Sequence, residues 1–489
     1  MASGAKSLFQ EEIMLKYNVK SPNAMEFISH DEITATLAWV DENKNDQALI
    51  RQIMQNAGQK KGLEHREASL LLAGGDSNEL FALAGKIKQE FYGNRVVLFA
   101  PLYLSNYCVN GCVYCPYNIT NDTMPRKKLT QDEIRREVIA LQDMGHKRLV
   151  IETGEHPKHS PMEYILESIN TIYDTKHENG AIRRVNVNIA ATSVDEYRML
   201  KSANIGTYIL FQETYCEQTY KSIHPTGPKS DYRWHTEALD RAMQGGVDDV
   251  GIGALFGLTD YRYEFAGMLM HAEHLEAVYG VGPHTMSVPR IRRAQGIGTN
   301  NFAHGIDDET FARIVACLRI SAPYTGIIVS TRESEECRRK VLDVGVSQIS
   351  GGSRTSVGGY DHKQESDDHC EKNDTKQFEI SDDRSLGEVV RWLIDIGYIP
   401  SFCTACYREG RVGDRFMELC KSGQIQNCCQ PNALMTLQEY LLDYADADTI
   451  EAGEKLINRE ILTIPNEKMR TLVVDQLKKI KKGSRDFRV

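Results

Sequence analysis

Residues 96 to 115 read Val96-Val-Leu-Phe-Ala-Pro-Leu-Tyr-Leu-Ser-Asn-Tyr-Cys-Val-Asn-Gly-Cys-Val-Tyr-Cys115, an apolar run followed directly by three cysteines. The apolar run predicts a buried β-strand, and the cysteines lie in the loop that leaves it. Their spacing, C-x3-C-x2-C, gathers Cys108, Cys112 and Cys115 on one short loop. Three such thiolates can hold three irons of a cubane iron–sulfur cluster and leave the fourth iron free to bind a small molecule.

Thiolates bind zinc as well as iron–sulfur clusters, so the number of ligands separates the two possibilities. A structural zinc site takes four protein ligands, usually from two C-x2-C pairs, whereas this loop offers three cysteines and no histidine. The spacing resembles the signature of the radical S-adenosylmethionine (SAM) superfamily. That resemblance implies a [4Fe-4S] cluster on Cys108, Cys112 and Cys115 with SAM at its open iron, and it places Tyr114 near the adenine.

Short β-rich runs alternate with longer helical patterns downstream of residue 96. The eight runs cover residues 96–105, 148–153, 184–190, 207–215, 249–257, 284–290, 326–332 and 348–353. Helical patterns lie between them, for example at 131–144, 161–178 and 308–322. Eight β-then-α units predict an α/β protein with a (β/α)8 TIM-type barrel, whose chemistry lies in the loops after the strands. The cysteine loop follows the first of these strands.

The same patterns divide the chain into three predicted parts. Residues 1–90 form an N-terminal helical extension, residues 91–385 form the barrel, and residues 386–489 form a mainly helical, cysteine-rich C-terminal domain. The polar stretch at 355–375 predicts a surface loop, in which His362, His369 and Cys370 could bind a metal opportunistically.

Composition excludes several classes of protein. The 489 residues are 41% hydrophobic and 26% charged, which is typical of a globular enzyme. A formal net charge of −10 argues against nucleic-acid binding by the chain as a whole, and no run approaches the ~20 apolar residues of a membrane span. The N-terminus shows no secretion or transit signal. We therefore expect a cytoplasmic protein whose twelve cysteines serve metal binding rather than disulfides.

Three further strand ends carry candidate residues for binding the cofactor. Gly154 and Glu155 follow the second strand and resemble the superfamily's Gly-Gly-Glu element, which meets the methionine amino group of SAM; a plain turn is the alternative. Gly253 lies on a glycine-rich fifth strand, where close approach of SAM or small-residue barrel packing would require glycine. Glu213 ends the fourth strand and could accept a hydrogen bond from a ribose or ammonium group, or form a structural ion pair.

A second group of cysteines lies in the C-terminal domain. Cys403, Cys406 and Cys429 have the spacing C-x2-C-x22-C, which again supplies three thiolates and favours a second iron–sulfur cluster. The alternative is a zinc site that uses four of the five cysteines of the tail, which are Cys403, Cys406, Cys420, Cys428 and Cys429. Redox C-x2-C chemistry would need a thioredoxin-like setting, which the sequence lacks. The sequence does not choose firmly between Cys428 and Cys429.

Taken together, the motifs resemble the HydG family of radical SAM tyrosine lyases, which help to mature [FeFe]-hydrogenase. The resemblance extends from about Tyr17 to the end of the chain. Besides the cysteine loop, it rests on residues 145–149, 154–157, 182–189, 206–215, 224–229, 246–257 and 281–290, and on the C-x2-C-x22-C tail. The related ThiH lyases of thiazole synthesis share the barrel and lack this tail.

The resemblance implies a reaction and its partners. A 5′-deoxyadenosyl radical would abstract a hydrogen atom from the amino group of L-tyrosine, and cleavage of the Cα–Cβ bond would give p-cresol and dehydroglycine. Dehydroglycine would be degraded to CO and cyanide, captured on an additional iron at an auxiliary [4Fe-4S] cluster with a non-protein cysteine. The product would be a precursor of the hydrogenase H-cluster. Expected partners are an electron donor such as ferredoxin or flavodoxin and other hydrogenase maturation proteins, with no nucleic acid and no membrane.

The additional iron would use a histidine, for which we expect His284. This residue begins the sixth strand and should lie at the N-terminal mouth of the barrel, opposite the SAM loop. A C-terminal domain covering that mouth would bring the second cluster near it. His271 and His274, on a helix, are the runners-up, and ordinary core hydrogen bonding is the alternative for His284.

The tyrosine carboxylate needs a fixed partner, and a guanidinium matches a carboxylate with two hydrogen bonds. Arg332 ends the seventh strand and is our candidate, with Ser330 adding a hydroxyl donor. Arg290, at the end of the sixth strand, is the alternative, and a structural salt bridge is possible for each arginine. The competing interpretation of the whole chain is a non-catalytic cluster carrier or metal-binding protein, and a ThiH-like lyase is the runner-up among enzymes.

Overall fold

Eight parallel strands close into a barrel in the computed structural model, which describes residues 17–298, 302–361 and 375–489. The strands are β1 (Arg95–Ser105), β2 (Arg148–Thr153), β3 (Arg184–Asn188), β4 (Tyr208–Glu213), β5 (Val250–Ala254), β6 (Thr285–Ser287), β7 (Gly326–Val329) and β8 (Gln348–Ser350). Each strand pairs with the next, and β8 pairs with β1 from Val97↔Gln348 to Phe99↔Ser350, which closes the ring. The predicted (β/α)8 barrel is confirmed.

From β3 onward, each strand ends two or three residues before its predicted end; β7, for example, ends at Val329 rather than at residue 332. The residues beyond leave the hydrogen-bonded ladder and form the C-terminal mouth of the barrel, where catalytic loops lie in this fold.

Helices surround the barrel. They span Gln131–Asp143, Met162–Asp174, Val194–Ser202, Glu217–Ile223, Tyr232–Thr236, Ala238–Gln244, Tyr261–Tyr279, Asp308–Ser321 and Glu335–Val344, with a 3-10 turn at Pro228–Ser230. The helix predicted over 161–178 ends at Asp174, because Lys176–His177 and Gly180–Ala181 pair as a small antiparallel hairpin. Glu178, between them, has a φ of 48°, which suits a tight turn rather than a helix.

Five helices precede β1 and pack on the outside of the barrel: Ala24–Phe27, His30–Asn43, Gln47–Ala57, His65–Gly74 and Ser77–Tyr92. Most begin at a side chain that accepts a hydrogen bond from the first turn, as Ser29 does from Glu32 N and Asp76 from Glu79 N. Residues 1–16 of the predicted helical extension lie outside the described residues. No helix of the described chain is long and apolar enough to cross a membrane.

The C-terminal region is mainly helical and is joined to the barrel by a ninth strand. Its helices are Leu386–Asp395, Ala405–Arg408, Gly413–Lys421, Gln426–Tyr444, Ala447–Ile461 and Glu467–Lys481. Strand β9 (Ile399–Ser401) runs parallel to the first residues of β1, from Arg95↔Ile399 to Val97↔Ser401. Because β9 pairs with the start of β1, Cys403 lies at the N-terminal mouth of the barrel. Of the predicted surface loop, residues 362–374, with His362, His369 and Cys370, lie outside the described residues.

Candidate functional site

A cavity of about 240 Å³ lies at the C-terminal mouth of the barrel. The strand ends and the loop after β1 bring together most of the residues predicted for the first site. Those that line the cavity are Cys108, Cys112, Tyr114, Cys115, Gly154, Glu155, Glu213, Ser330 and Arg332. Gly253 and Arg290 are not among its lining residues.

The cysteine loop is tied to its neighbours through the backbone. The hydrogen bonds are Val109 N to Glu155 O (2.8 Å), Gly111 N to Thr226 O (3.0 Å) and Val113 N to Ile223 O (3.0 Å). Glu155 follows β2, and Ile223 and Thr226 both lie in the segment after β4, so two segments of the mouth hold the loop. The three thiols therefore have a fixed framework on which a cluster can be held.

Gly154 and Glu155 contact the cysteine loop directly. A Cβ atom at position 154 would clash with the carbonyl oxygen of Tyr107, so glycine is required there. Asn110 donates its side-chain N–H groups to Glu155 (2.6 Å) and to the sulfur of Cys108 (3.7 Å). Burial raises the pKa of the Glu155 carboxyl. Sequence reasoning missed Asn110, which links the acid to a cysteine.

Glu213 forms a buried ion pair with a lysine that sequence reasoning also missed. Lys229 Nζ lies 2.8 Å from Glu213 Oε1 and 5.8 Å from the centre of the Tyr114 ring. Burial opposes the charge on Lys229, but the Glu213 carboxylate and the Cys112 thiol outweigh it and raise the lysine pKa. Burial raises the pKa of the Cys112 thiol to about 12, and the Lys229 cation offsets part of that rise.

The backbone at Glu213 is in the left-handed region, with a φ of 67°. Such a conformation is unusual for a residue with a side chain and persists where neighbours hold it. Glu264, on helix Tyr261–Tyr279, accepts hydrogen bonds from Tyr215 N (2.8 Å) and from the hydroxyl of Thr214. These contacts fix the turn that aims Glu213 at Lys229.

Tyr114 is held by a histidine relay. Its hydroxyl lies 2.9 Å from His224 Nε2, and His224 Nδ1 donates to the carbonyl of Tyr220 at 2.9 Å. Burial lowers the pKa of His224 to about 2, so the ring is neutral and Nε2 accepts from the tyrosine hydroxyl. The Tyr114 ring is thereby oriented within the cavity.

Arg332 has no carboxylate within 4 Å among the described residues. Burial without such a partner lowers the pKa of its guanidinium. Its guanidinium lies over the ring of Phe378, 3.5 Å from the ring centre. Glu152 lines the same cavity and accepts a hydrogen bond from Asn188 at 2.9 Å; burial raises the Glu152 pKa to about 8. The cavity thus offers one unpaired guanidinium and one carboxyl that burial tends to keep neutral.

Arg290 and Gly253 are occupied by the protein itself. Arg290 binds Glu333 (Nε to Oε2, 3.1 Å), Asp308 (2.7 Å) and the carbonyl of Ile306 (3.1 Å). A Cβ atom on Gly253 would lie 2.6 Å from the ring of Phe211. The observed contacts of these two residues are therefore a structural ion pair and barrel packing, the alternatives given for them above.

A second cavity, of about 90 Å³, lies at the opposite mouth of the barrel. Cys403, Cys406, Cys420, Cys429 and His284 all line it. A hydrogen bond from the Cys406 thiol lowers the pKa of Cys429, which favours its thiolate.

Cys428 is directed away from the second cavity. It is not among the lining residues, and its sulfur lies 3.2 Å from Nη1 of Arg411. Of the two adjacent cysteines, Cys429 is therefore the one placed with Cys403 and Cys406.

Buried arginines surround this second group of cysteines. Arg148 Nη2 donates to the carbonyl of Cys403 at 2.8 Å, and the Arg184 guanidinium lies 3.8 Å from the centre of the Tyr407 ring. Arg95 Nη1 and Arg148 Nε are buried without a hydrogen-bond partner in the described chain. No carboxylate of the described residues lies within 4 Å of Arg95, Arg148 or Arg184. Because buried cations require compensation, this donor set fits a negatively charged thiolate cluster.

Each ring nitrogen of His284 faces a polar neighbour. Nε2 lies 3.2 Å from the Tyr407 hydroxyl, whereas Nδ1 has no hydrogen-bond partner among the described residues and lies 3.4 Å from Asp249. Burial lowers the pKa of His284, which favours the neutral ring that binds metals. His271 and His274 line neither cavity and bond to Tyr215 and Asp240 respectively.

A thin layer of side chains separates the two cavities. Phe99, Val150, Ile209 and Ile328 contact one another inside the barrel and line the first cavity. Gln348, at the start of β8, lines both cavities. The two groups of cysteines therefore lie at opposite ends of one barrel interior, with this apolar layer between them.

Comparisons with known proteins agree with this arrangement. A model of the radical SAM superfamily matches residues 102–269, and one of the Biotin and Thiamin Synthesis associated domain matches residues 287–399. The chain is similar to 2-iminoacetate synthase of Escherichia coli (strain K12), with 32% identity over 329 residues, 67% of this chain and 83% of that protein.

Two solved structures resemble the chain more completely. A crystal structure of HydG, described as a maturase of the [FeFe]-hydrogenase, has a TM-score of 0.90 and 50% identity and covers 95% of this chain and 100% of its own. HydG from Carboxydothermus hydrogenoformans has a TM-score of 0.80 and 38% identity and covers 93% and 99%. Residues 386–489 exceed a fifth of the chain, so these matches include most of the C-terminal region. Membership of the superfamily implies SAM and a [4Fe-4S] cluster, and the chain is a radical SAM enzyme that belongs to the HydG family.

Proposed function

We propose that this protein is a carbon–carbon lyase that cleaves L-tyrosine to p-cresol and dehydroglycine, and then converts dehydroglycine to CO and cyanide for assembly of the [FeFe]-hydrogenase H-cluster. The observation that carries the proposal is the placement of two three-cysteine groups at opposite ends of one barrel interior. A fragment made at one end would move through the apolar layer of the barrel interior to reach the other, away from bulk solvent, which would keep CO and cyanide from escaping.

At the first site, Cys108, Cys112 and Cys115 would hold the [4Fe-4S] cluster. With SAM bound, this group would supply the 5′-deoxyadenosyl radical. Gly154 and Glu155 would meet the methionine end of SAM, the Tyr114 ring would pack near the adenine, and Glu213 would accept a hydrogen bond from the cofactor. Lys229 pairs with Glu213, so the charges of the two side chains compensate each other in this part of the mouth.

Arg332 would hold the carboxylate of tyrosine, and the Ser330 hydroxyl would add a further donor. In the described chain, Lys229 and Arg290 are paired with Glu213 and Glu333, whereas the Arg332 guanidinium has no carboxylate partner. A planar guanidinium can donate two parallel hydrogen bonds to a carboxylate, which fixes both the position and the tilt of the substrate.

At the second site, Cys403, Cys406 and Cys429 would hold an auxiliary [4Fe-4S] cluster, with a non-protein cysteine and an additional iron beyond it. His284 would bind that iron through a nitrogen of its neutral ring. Arg95 and Arg148 would compensate the negative charge of the thiolates and of cyanide. The electron would come from a ferredoxin- or flavodoxin-like protein, and other hydrogenase maturation proteins would receive the product.

A ThiH-like lyase is the second candidate, favoured by the identity to 2-iminoacetate synthase. A product assay separates the two. Anaerobically reconstituted protein, given SAM, a reductant and tyrosine, should release p-cresol and also form CO and cyanide, and should contain about eight irons per chain or more. Reactions without SAM are the control. Detection of p-cresol with neither CO nor cyanide would establish the ThiH-like activity, and about four irons with one zinc would reduce the tail to a structural site.

Replacing Arg332 with lysine should raise the KM for tyrosine by roughly 10- to 100-fold, because a lysine cannot form the paired hydrogen bonds. The KM is measured from p-cresol formation at saturating SAM. Arg290→Lys is the matched control: it should lower the thermal midpoint, since it breaks the contacts to Glu333 and Asp308, and leave the KM unchanged. The reverse result, a raised KM in the Arg290 variant alone, would move the substrate carboxylate to Arg290.

A further inference from the structure

The second cavity contains a fourth thiol that the three-cysteine arrangement does not use. Cys420 lies on helix Gly413–Lys421, is 3% exposed, and lines the cavity. One turn earlier on the same helix, the ring of Phe416 packs against His284, with 4.8 Å between ring centres. Residues four apart share one face of a helix, so the helix presents both side chains to the cavity.

Cys420 belongs to an apolar cluster against which two of the other cysteines pack. Its hydrophobic cluster includes Cys406 and Cys429, together with Val281, Tyr324, Met417 and Ile425. Within the described chain it forms no disulfide. Cys428, in contrast, contacts Arg411 outside the cavity. Four cysteines of the tail therefore line one cavity, and a fifth, Cys428, does not.

Two other side chains show independently that this cavity is built for a ligand. Arg95 and Arg148 are each 6% exposed, and each has a nitrogen without a hydrogen-bond partner among the described residues. Both line the cavity that Cys420 enters. Buried nitrogens without partners are costly unless a bound group satisfies them.

We propose that Cys420 is an internal fourth ligand of the auxiliary cluster, which occupies its open iron until a free amino-acid thiol displaces it. The inference rests on the proposed function, because it requires a cluster at the second site. In the exchange the incoming thiol gives up its proton, the Cys420 thiolate takes one up, and no electron is transferred. A thiol held in reserve would keep the open iron from being lost between rounds of product formation.

The test uses the full-length chain with Cys108, Cys112 and Cys115 replaced by alanine, so that any cluster signal comes from the second site. In this background, Cys420→Ala is compared with the unchanged tail and with Cys428→Ala as the matched control. L-Cysteine is titrated into each reduced protein, and the change in the electron paramagnetic resonance spectrum is followed. We expect Cys420→Ala to respond at an L-cysteine concentration about tenfold lower than the other two, because no protein thiol competes.

Equal titration curves for Cys420→Ala and the unchanged tail would overturn the inference while leaving the second cluster in place. Cys420→Ser, which preserves the size of the side chain, should also respond at lower L-cysteine; a curve like that of the unchanged tail would show that packing rather than ligation matters. If the unchanged tail binds about one zinc and no iron, the proposed function and the inference both fail.

Discussion

Replacing Cys112 with alanine should lower SAM cleavage by at least about a thousandfold, the largest effect expected from a single substitution in this chain. Cys112 is the most buried of the three loop cysteines, and a cluster retained by two thiolates is not held firmly. A thousandfold loss corresponds to ~4 kcal/mol of activation free energy. The measurement is 5′-deoxyadenosine formed per chain under reducing conditions, with iron determined on the same sample.

Iron content identifies the cause of that loss. The Cys112 variant should lose about four of about eight irons, since the second site lies at the other mouth of the barrel. Cys317→Ala is the control, because Cys317 is buried in helix Asp308–Ser321 and lines neither cavity. A Cys112 variant that still cleaves SAM at more than a tenth of the normal rate would refute the assignment of the first site.

Replacing Cys429 with alanine should separate the two halves of the reaction. Formation of p-cresol should continue within about threefold of the normal rate, since the first cavity is unchanged, and formation of iron-bound CO and cyanide should be abolished. The measurements are p-cresol by chromatography and the carbonyl and cyanide stretching bands by infrared spectroscopy.

Cys428→Ala is the matched control for the Cys429 variant, because the Cys428 sulfur contacts Arg411 and does not line the second cavity. It should retain both products. Loss of the infrared bands in Cys428→Ala, with Cys429→Ala unaffected, would exchange the two assignments.

His284→Gln should likewise keep p-cresol formation and the iron of both clusters, and should lose the infrared bands that depend on the additional iron.

Periodicity and spacing were enough to predict the barrel and its two groups of cysteines. Each strand is a short β-rich run bounded by turns, and closure follows from eight β/α units. The placement of the tail depends on β9, a three-residue strand containing Pro400, which carries too little local signal to be recognised. Its pairing with β1 depends on tertiary contacts between segments about 300 residues apart.

The choice between Cys428 and Cys429 shows where sequence reasoning stops. Both lie in helix Gln426–Tyr444, where neighbouring side chains point about 100° apart, so only one can face a given cavity. The rotation of that helix is set by its packing against the barrel, which spacing does not encode. The same limit explains why Lys229, Asn110 and Glu152 were missed: each acts through a partner that is distant in sequence.

The two arginines at strand ends differ for a similar reason. Arg290 and Arg332 have equivalent positions in the β/α pattern, yet Glu333, adjacent to Arg332, binds Arg290 instead. That partnership leaves Arg332 for the cavity. A residue type at a strand end indicates a possible site residue, and only the ion pairs of the folded chain show which one is free of carboxylate partners in the described structure.

Strand β9 also has a consequence for how the protein is made. The first residues of β1 pair with residues about 300 positions further along, so this part of the sheet cannot be completed until nearly the whole chain has left the ribosome. Arg95, in that pair, and Cys403, just after it, come together only at that stage. Metal loading of the second cavity is therefore a late event in biogenesis, and a chain that ends prematurely before residue 399 would lack this cavity altogether.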